Sequence, residues 1–334
     1  MTAIPTRLSS ARTHHEVPAM TRFAVQRILL VVPLLLILTL LVFLLVRASP
    51  GDPAATIAGP DATAESIAEI RTDLGLDRPL PVQYISYVTD LAKGDLGTSF
   101  TTRQPVTEMI GERLPRTLSI ALLAMLLSIG LSIPLGVFAA SRPGSRLDRA
   151  ITAGSALAIA IPPFVFAAVL ILLLALGSGA LFPPGGYAPM SMGFGEWLRY
   201  ATLPALALAL VGLAELTRIL RSSMVEAFEQ DYIRTARAKG LGRSVIVLKH
   251  AGKNAASVYL TVLGLQIGRV LGAAVIIEAM FNINGFSQLG YEAVLNRDLP
   301  TLQGVVLVSG AVVLLVNLAV DLSYGIVNPR IRAK

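Results

Sequence analysis

Charged and amide side chains inside otherwise apolar sequence are the first places to look for chemistry, because burying them costs free energy that plain anchoring never requires. Three such groups, Gln266, Arg269 and Glu278, fall in one apolar stretch of this 334-residue chain. Gln266 and Arg269 share a helix face, whereas Glu278 lies half a turn away from Arg269 around the same helix. The two charges cannot pair within that helix. Each needs a partner on another helix, in an aqueous path or at the interface. Structural pairing is the plainer account and direct solute contact the sharper one. Asn317 and Asp321 recur one helical turn apart in the last apolar stretch, with Asp321 close enough to its end to be interfacial.

Other kinds of chemistry have no residues to carry them. Cysteine is absent, which excludes disulfides, thiolate nucleophiles and Cys-ligated metals. The histidines are His14, His15 and His250, without an HExxH arrangement, and carboxylates do not cluster at metal-ligand spacing. No GxxxxGK[ST] run offers a phosphate cradle, no GxSxG a nucleophile elbow, and Gly193 and Gly195 lead into Trp197 and Leu198 rather than a GxGxxG. The chain is expected to be neither an enzyme nor an ATP-driven motor by itself, and to hold no metal or cofactor.

The elements that must position these groups are membrane helices. Hydrophobic residues make up 54% of the chain and charged ones 15%, with mean hydropathy +0.68, an all-α polytopic composition. Apolar stretches run over 28–46, 118–140, 151–176, 201–216, 256–281 and 302–327, which predicts six transmembrane helices. The first is bracketed by Arg27 and Arg47 and is longer than a signal-peptide core, so it reads as an uncleaved anchor. The organisation is then a tail 1–27, an anchor helix 28–47, an external segment 48–117, and a core domain 118–334 with a loop at 217–255. Alternate connections (1–27, 141–149, 217–255 and 328–334) hold 18 Lys and Arg in 82 residues, against 8 in 114 for the other set. The basic set should face the cytoplasm, which puts both termini there in a plasma or inner membrane. The excess positive charge is thus mainly a topology signal, and no nucleic-acid partner is implied. Segment 48–117 is net acidic, with ten acidic and six basic residues.

Small residues repeat at helical spacing in two spans: Ser128, Ser132 and Gly136 in the second, Gly264, Gly268 and Gly272 in the fifth. Such stripes let helix backbones approach closely, as ordinary packing or as a surface that moves against its partner. Pro33, Pro134, Pro162 and Pro163 free backbone groups that lipid cannot satisfy, so those turns should face protein or a cavity.

The loop sequence SSMVEAFEQDYIRTARAKGLGRSVIVLKHAGKNAAS spans 222–257. Met224, Phe228 and Tyr232 recur every fourth residue, Ile233 and Ala236 continue the apolar face, and Arg234, Arg237 and Lys239 point elsewhere. Gly240 then ends the helix. By pattern, this short amphipathic helix suits either a groove on a cytosolic partner or an anionic lipid surface.

The run DYIRTARAKGL, Asp231–Leu241, resembles the cytoplasmic EAA-type loop of the permeases of binding-protein-dependent ABC importers, in the dipeptide, oligopeptide and nickel branch. Further strings match that branch in order: PGDP at 50–53, LGLD at 74–77, PLPVQY at 79–84, GDLG at 94–97, RLPRTL at 113–118, IPLG at 133–136, GSRLDR at 144–149, EAMF at 278–281 and NPRIR at 328–332. The resemblance covers about 22–332 and implies the type I importer permease fold. It further implies a second homologous permease subunit, two cytosolic ATPases that bind ATP and magnesium, and an extracytoplasmic solute-binding protein. Carried over, the ATPase-coupling helix comprises Asp231, Tyr232, Arg234, Thr235, Ala236, Arg237, Ala238, Lys239 and Gly240, with Ala236 and Gly240 at the motif's small positions. The motif's leading Glu is Arg234 here, and its downstream Pro is Val258. Peptides are the solute the branch favours, with nickel complexes, glutathione or sugars as alternatives. Two competing readings stay open at this point: an ion-coupled transporter relaying through Glu278, Arg269 and Asp321, and a lipid-bound scaffold.

Overall fold

The computed structural model describes residues 19–48, 52–59, 61–177 and 181–327. The polar tail with His14 and His15 and the terminal run 328–334 lie outside the described residues. Helix α1, Ala19–Ala48, carries the first apolar run. Three short helices follow, each started by local capping or a leading proline. Asp52 accepts from Ala54 N to begin α2, Pro53–Ala58; Thr63 accepts from Ser66 N to begin α3, Ala64–Asp73; and α4, Leu80–Ala92, begins after Pro79. Long helix α5, Val106–Ser141, leads into α6, Arg146–Ala160, and α7, Pro163–Leu170, which ends in a π-helical turn at Ile171–Ala175. Helix α8 runs Phe194–Glu229 and α9 Asp231–Ala238. After α10, Arg243–Val245, and a second π-helical turn at Ile246–Ala251, come α11, Gly252–Met280, α12, Phe286–Leu295, and α13, Leu299–Val327. The described residues contain no strand longer than the isolated bridge between Thr98 and Pro105.

Among the described residues five helices are long and apolar enough to cross a membrane, and the count reaches six only if α6 and α7 form one broken span. The third stretch expected over 151–176 is divided between α6 and α7, which meet at 102°. The cause is Pro162–Pro163. The residue before a proline avoids helical ψ, and both Ile161 and Pro162 are extended, with ψ of 121° and 138°. The fourth span also differs, being far longer than 201–216 and the most enclosed of all. Its most apolar window is 61% buried, against 11% for α1 and for α13. Small residues explain this. Ala201, Ala205, Ala207, Ala209, Gly212 and Ala214 are all buried, so neighbouring backbones come close.

Helix α8 is therefore the axis, with α5 packed along most of its length and α11, α6 and α7 filling in around it. A central apolar cluster joins α5, α7, α8 and α11 through residues such as Ile120, Leu170, Leu203 and Ile277. A second lies toward the α9 end, with Leu216, Leu220, Met224 and Tyr259; a third joins Val106 and Ile110 of α5 to Phe286, Leu289 and Val305. Helix α1 packs on α13 at the margin, and Leu29, Leu41 and Leu45 of α1, like Leu122 and Leu126 of α5, remain exposed as lipid-facing side chains do. Helix α4 is tied to this margin. Tyr84 donates to Leu36 O at 3.1 Å, lies 2.9 Å from Thr39 Oγ1, and sets its ring edge-on to Phe43 at 5.5 Å.

Candidate coupling site and intramembrane polar groups

At the tip of α8 the chain breaks at Gln230, whose φ and ψ of −71° and 147° are extended, and restarts as α9. The apolar face expected to run on from Met224 and Phe228 into Tyr232 is therefore divided between two helices. Met224 is sealed in the second cluster and Tyr232 is exposed. Ile233 and Ala236 turn inward and bury themselves against Ile246, with Phe228 alongside. The outer face consists of Asp231, Tyr232, Arg234, Thr235, Arg237, Ala238 and Lys239, all exposed. Ala236 is thus a contact within this chain, filling space that a larger side chain could not share.

Helix α9 ends in a full Schellman arrangement. Leu241 N donates to Ala236 O at 3.2 Å and Gly240 N to Arg237 O at 2.9 Å, with Gly240 at φ 76°. Nothing lies within 4 Å of where a Gly240 Cβ would stand, so glycine is needed here for its backbone and not for space. Beyond it, Arg243 donates to Ser141 O at the end of α5, and Ile246 belongs to the π-helical turn leading into α11. Helix α9 is thus packed against α8 and the turn leading into α11, and the segment just after it is tied to the end of α5.

Beside this site Asp148 clamps the α5–α6 turn to α8. Ser145 caps α6 by accepting from Asp148 N at 3.1 Å, and Asp148 Oδ2 accepts from Gly144 N at 2.8 Å. The buried carboxylate also takes both Nε and Nη2 of Arg221. The S-x-x-D capping pattern in the string GSRLDR was the available sequence signal, but Arg221 as its partner was not visible there.

The intramembrane polar groups have separate partners. Arg269 pairs with Glu215 of α8, and Gln266 Nε2 donates to the same carboxylate at 2.7 Å. Glu278, fully enclosed, accepts from Thr117 Oγ1 of α5 and from Gln288 N of α12 at 2.9 Å. Thr117 Oγ1 in turn accepts from Phe286 N at 2.8 Å, so one carboxylate and one hydroxyl finish the start of α12. Arg113 reinforces the joint by pairing with Glu292 at 2.9 Å, and Arg116 donates to Asn284 O at 3.0 Å. Asp321 pairs with Arg27 at 2.8 Å, linking α13 to α1. The three groups an ion relay would require are held in three distinct networks.

The small-residue stripes have unequal surroundings. Ser128 donates to Ala209 O at 3.2 Å, Ser132 meets Tyr259 OH at 2.7 Å, and a Cβ on Gly136 would meet Leu220 at 3.0 Å, all between α5 and its neighbours. A Cβ on Gly264 would meet Val320 of α13 at 3.3 Å, but one on Gly268 or Gly272 would meet nothing within 4 Å.

Comparison with known proteins is consistent over most of the chain. Residues 132–333 match the family described as binding-protein-dependent transport system inner membrane component, and 20–121 match the N-terminal domain associated with it. A probable peptide ABC transporter permease protein of Sinorhizobium fredii is 38% identical, the alignment covering 93% of this chain and 99% of the relative. The oligopeptide transport system permease protein AppB of Bacillus subtilis is 36% identical with coverage of 93% and 99%. The glutathione transport system permease protein GsiC of Salmonella choleraesuis is 38% identical over 94% of this chain and all of the relative, at 100%. With an all-helical bundle of five or six candidate spans and family matches extending over most of its length, the chain belongs to the inner membrane components of binding-protein-dependent transport systems, and is a multi-pass permease subunit.

Proposed function

We propose that the chain is one of two homologous permease subunits that form the path for di- and oligopeptides, delivered by an extracytoplasmic solute-binding protein and driven by two cytosolic ATPases. The ATP and magnesium belong to those ATPases. The names of the relatives, which refer to peptide, oligopeptide and glutathione transport, support the solute class. The bias of Lys and Arg supports placing α9 and both termini in the cytoplasm, with α2–α4 on the opposite side where the binding protein would land.

The observation that carries this reading is the construction of α9. Ile233 and Ala236 bind it to its own chain, while Tyr232, Thr235 and three cations remain outward. Packing of this kind supports a lever over a loose lipid-binding segment. Closure of the ATPases would displace it, and its packing against α8 and the turn leading into α11 would pass the displacement on as a shift between two packings of the bundle. The test uses the absence of native cysteine. Thr235→Cys, in the complete transporter, is expected to crosslink to an ATPase subunit and to react with an impermeant thiol reagent only from the cytoplasmic side. Failure to capture an ATPase, or labelling from outside, would overturn the assignment.

A further inference from the structure

One face of the α8–α11 pair bears charge at a depth where lipid would be its neighbour. Glu215 stands about 30 Å along α8 from Phe194 and about 20 Å from Glu229, at ~1.5 Å per residue. Its partner Arg269 keeps 56% of its side chain exposed and Glu215 itself keeps 26%, even while they are paired. The exposed strip of α11 around Arg269 consists of Leu265, Gly268, Gly272 and Ile276, and nothing in the subunit covers its glycines. Hydrocarbon cannot accommodate such a pair without large cost, so this face meets water or another polar surface.

The pair also keeps hydrogen-bonding groups accessible from outside the subunit. The Arg269 guanidinium and Gln266 Nε2 both converge on Oε2 of Glu215, while Oε1 takes no hydrogen bond among the described residues. Arg269 likewise has donors beyond the single Nη1 used for Glu215. The site therefore presents a solvent-accessible carboxylate oxygen beside solvent-accessible guanidinium donors. That is the complement of a molecule with an ammonium and a carboxylate.

Building on the peptide-permease reading above, we propose that Glu215, Gln266 and Arg269 form a contact station for zwitterionic peptides in the conduit. Glu215 takes the terminal ammonium and Arg269 the terminal carboxylate as the internal pair opens. The exchange replaces one ion pair by two, so no charge is left uncompensated during passage, which is the condition under which charges survive in a low-dielectric path. Gln266, buried and anchored on α11, keeps Glu215 in place while Arg269 swings away.

The test uses the complete transporter, with both permease subunits, the ATPases and the binding protein, in proteoliposomes supplied with alanine peptides of about two to five residues. In the Glu215→Gln/Arg269→Gln variant, uptake is expected to fall about tenfold or more while size exclusion shows the complex intact, since neutral amides still hydrogen-bond but cannot match the charge of either terminus. In a separate variant, Gly272→Cys is expected to react with an anionic, water-soluble thiol reagent at rates that differ between nucleotide-free and vanadate-trapped transporter. Leu122→Cys, on the lipid side, should stay unreactive. Unchanged uptake in the double variant, loss of uptake together with loss of the complex, or a Gly272→Cys variant unreactive in both states would overturn the proposal. An intact native transporter that imports none of these peptides would overturn the peptide-permease reading as well, and that control separates the two failures.

Discussion

Glu278 shows how a buried charge can serve structure. Its two oxygens receive Thr117 Oγ1 and Gln288 N, and Gly285 lies so close that any Cβ there would collide with the carboxylate. Glu278→Ala would leave an enclosed hydroxyl and a helix-start N–H without an acceptor, a loss of about 2–4 kcal/mol. The expected outcome is a clearly lower melting temperature for the purified chain, whereas Thr117→Ser, which keeps the bridging hydroxyl, should melt near the native value. An equal loss in both variants would mean that packing of the Thr117 methyl, and not the hydrogen-bond bridge, holds the joint. Arg27–Asp321 is the opposite case. Both side chains are substantially exposed, at 42% and 29%, so Arg27→Ala should cost no more than about 1 kcal/mol by the same melt.

At the scale of elements, α9 has two distinct requirements. Gly240 supplies a left-handed residue, so Gly240→Val should cost about 1–2 kcal/mol of local strain and fray the last turn, while Gly240→Asn, which tolerates that conformation, should be far milder. The measurement is solute-stimulated ATP hydrolysis by the whole transporter, expected to fall sharply for Val and little for Asn. Ala236→Glu acts differently, by forcing a carboxylate into the Ile233–Ile246 cluster. It should free α9 from the π-helical turn, seen as new protease cleavage between 230 and 243, without removing any group from the outward face. If Ala236→Glu left the segment resistant to protease, the inward packing of α9 would be disproved. The α6–α7 bend is also an element-level feature, since adjacent prolines remove helical hydrogen bonds where the chain must turn.

Across the whole molecule the bundle divides into a tightly packed centre on α8 and a marginal helix, α1, fastened to α13. Gly310 lies directly beneath Leu38, with no room for a side chain. Gly310→Ile should therefore lift α1 from α13 while the α5–α8–α11 centre stays folded, detectable as loss of a disulfide between cysteines placed on the facing sides of α1 and α13. Much of this was legible in the sequence. Apolar length set the number of membrane stretches, and the half-turn offset between Arg269 and Glu278 required partners on other helices. Strings such as RLPRTL, GSRLDR and EAMF were recognisable as a set, and they coincide with joints where Thr117, Asp148 and Glu278 tie one element to another. What composition and spacing could not decide was everything that depends on which helices become neighbours: that Glu215 meets Arg269, that Arg221 closes on Asp148, that the third stretch folds through 102°, and that Ala236 packs inward. Period and hydropathy act along the chain and are carried by each segment alone. Partner choice and burial arise only when separate segments compete for the same space, and that competition is settled in three dimensions.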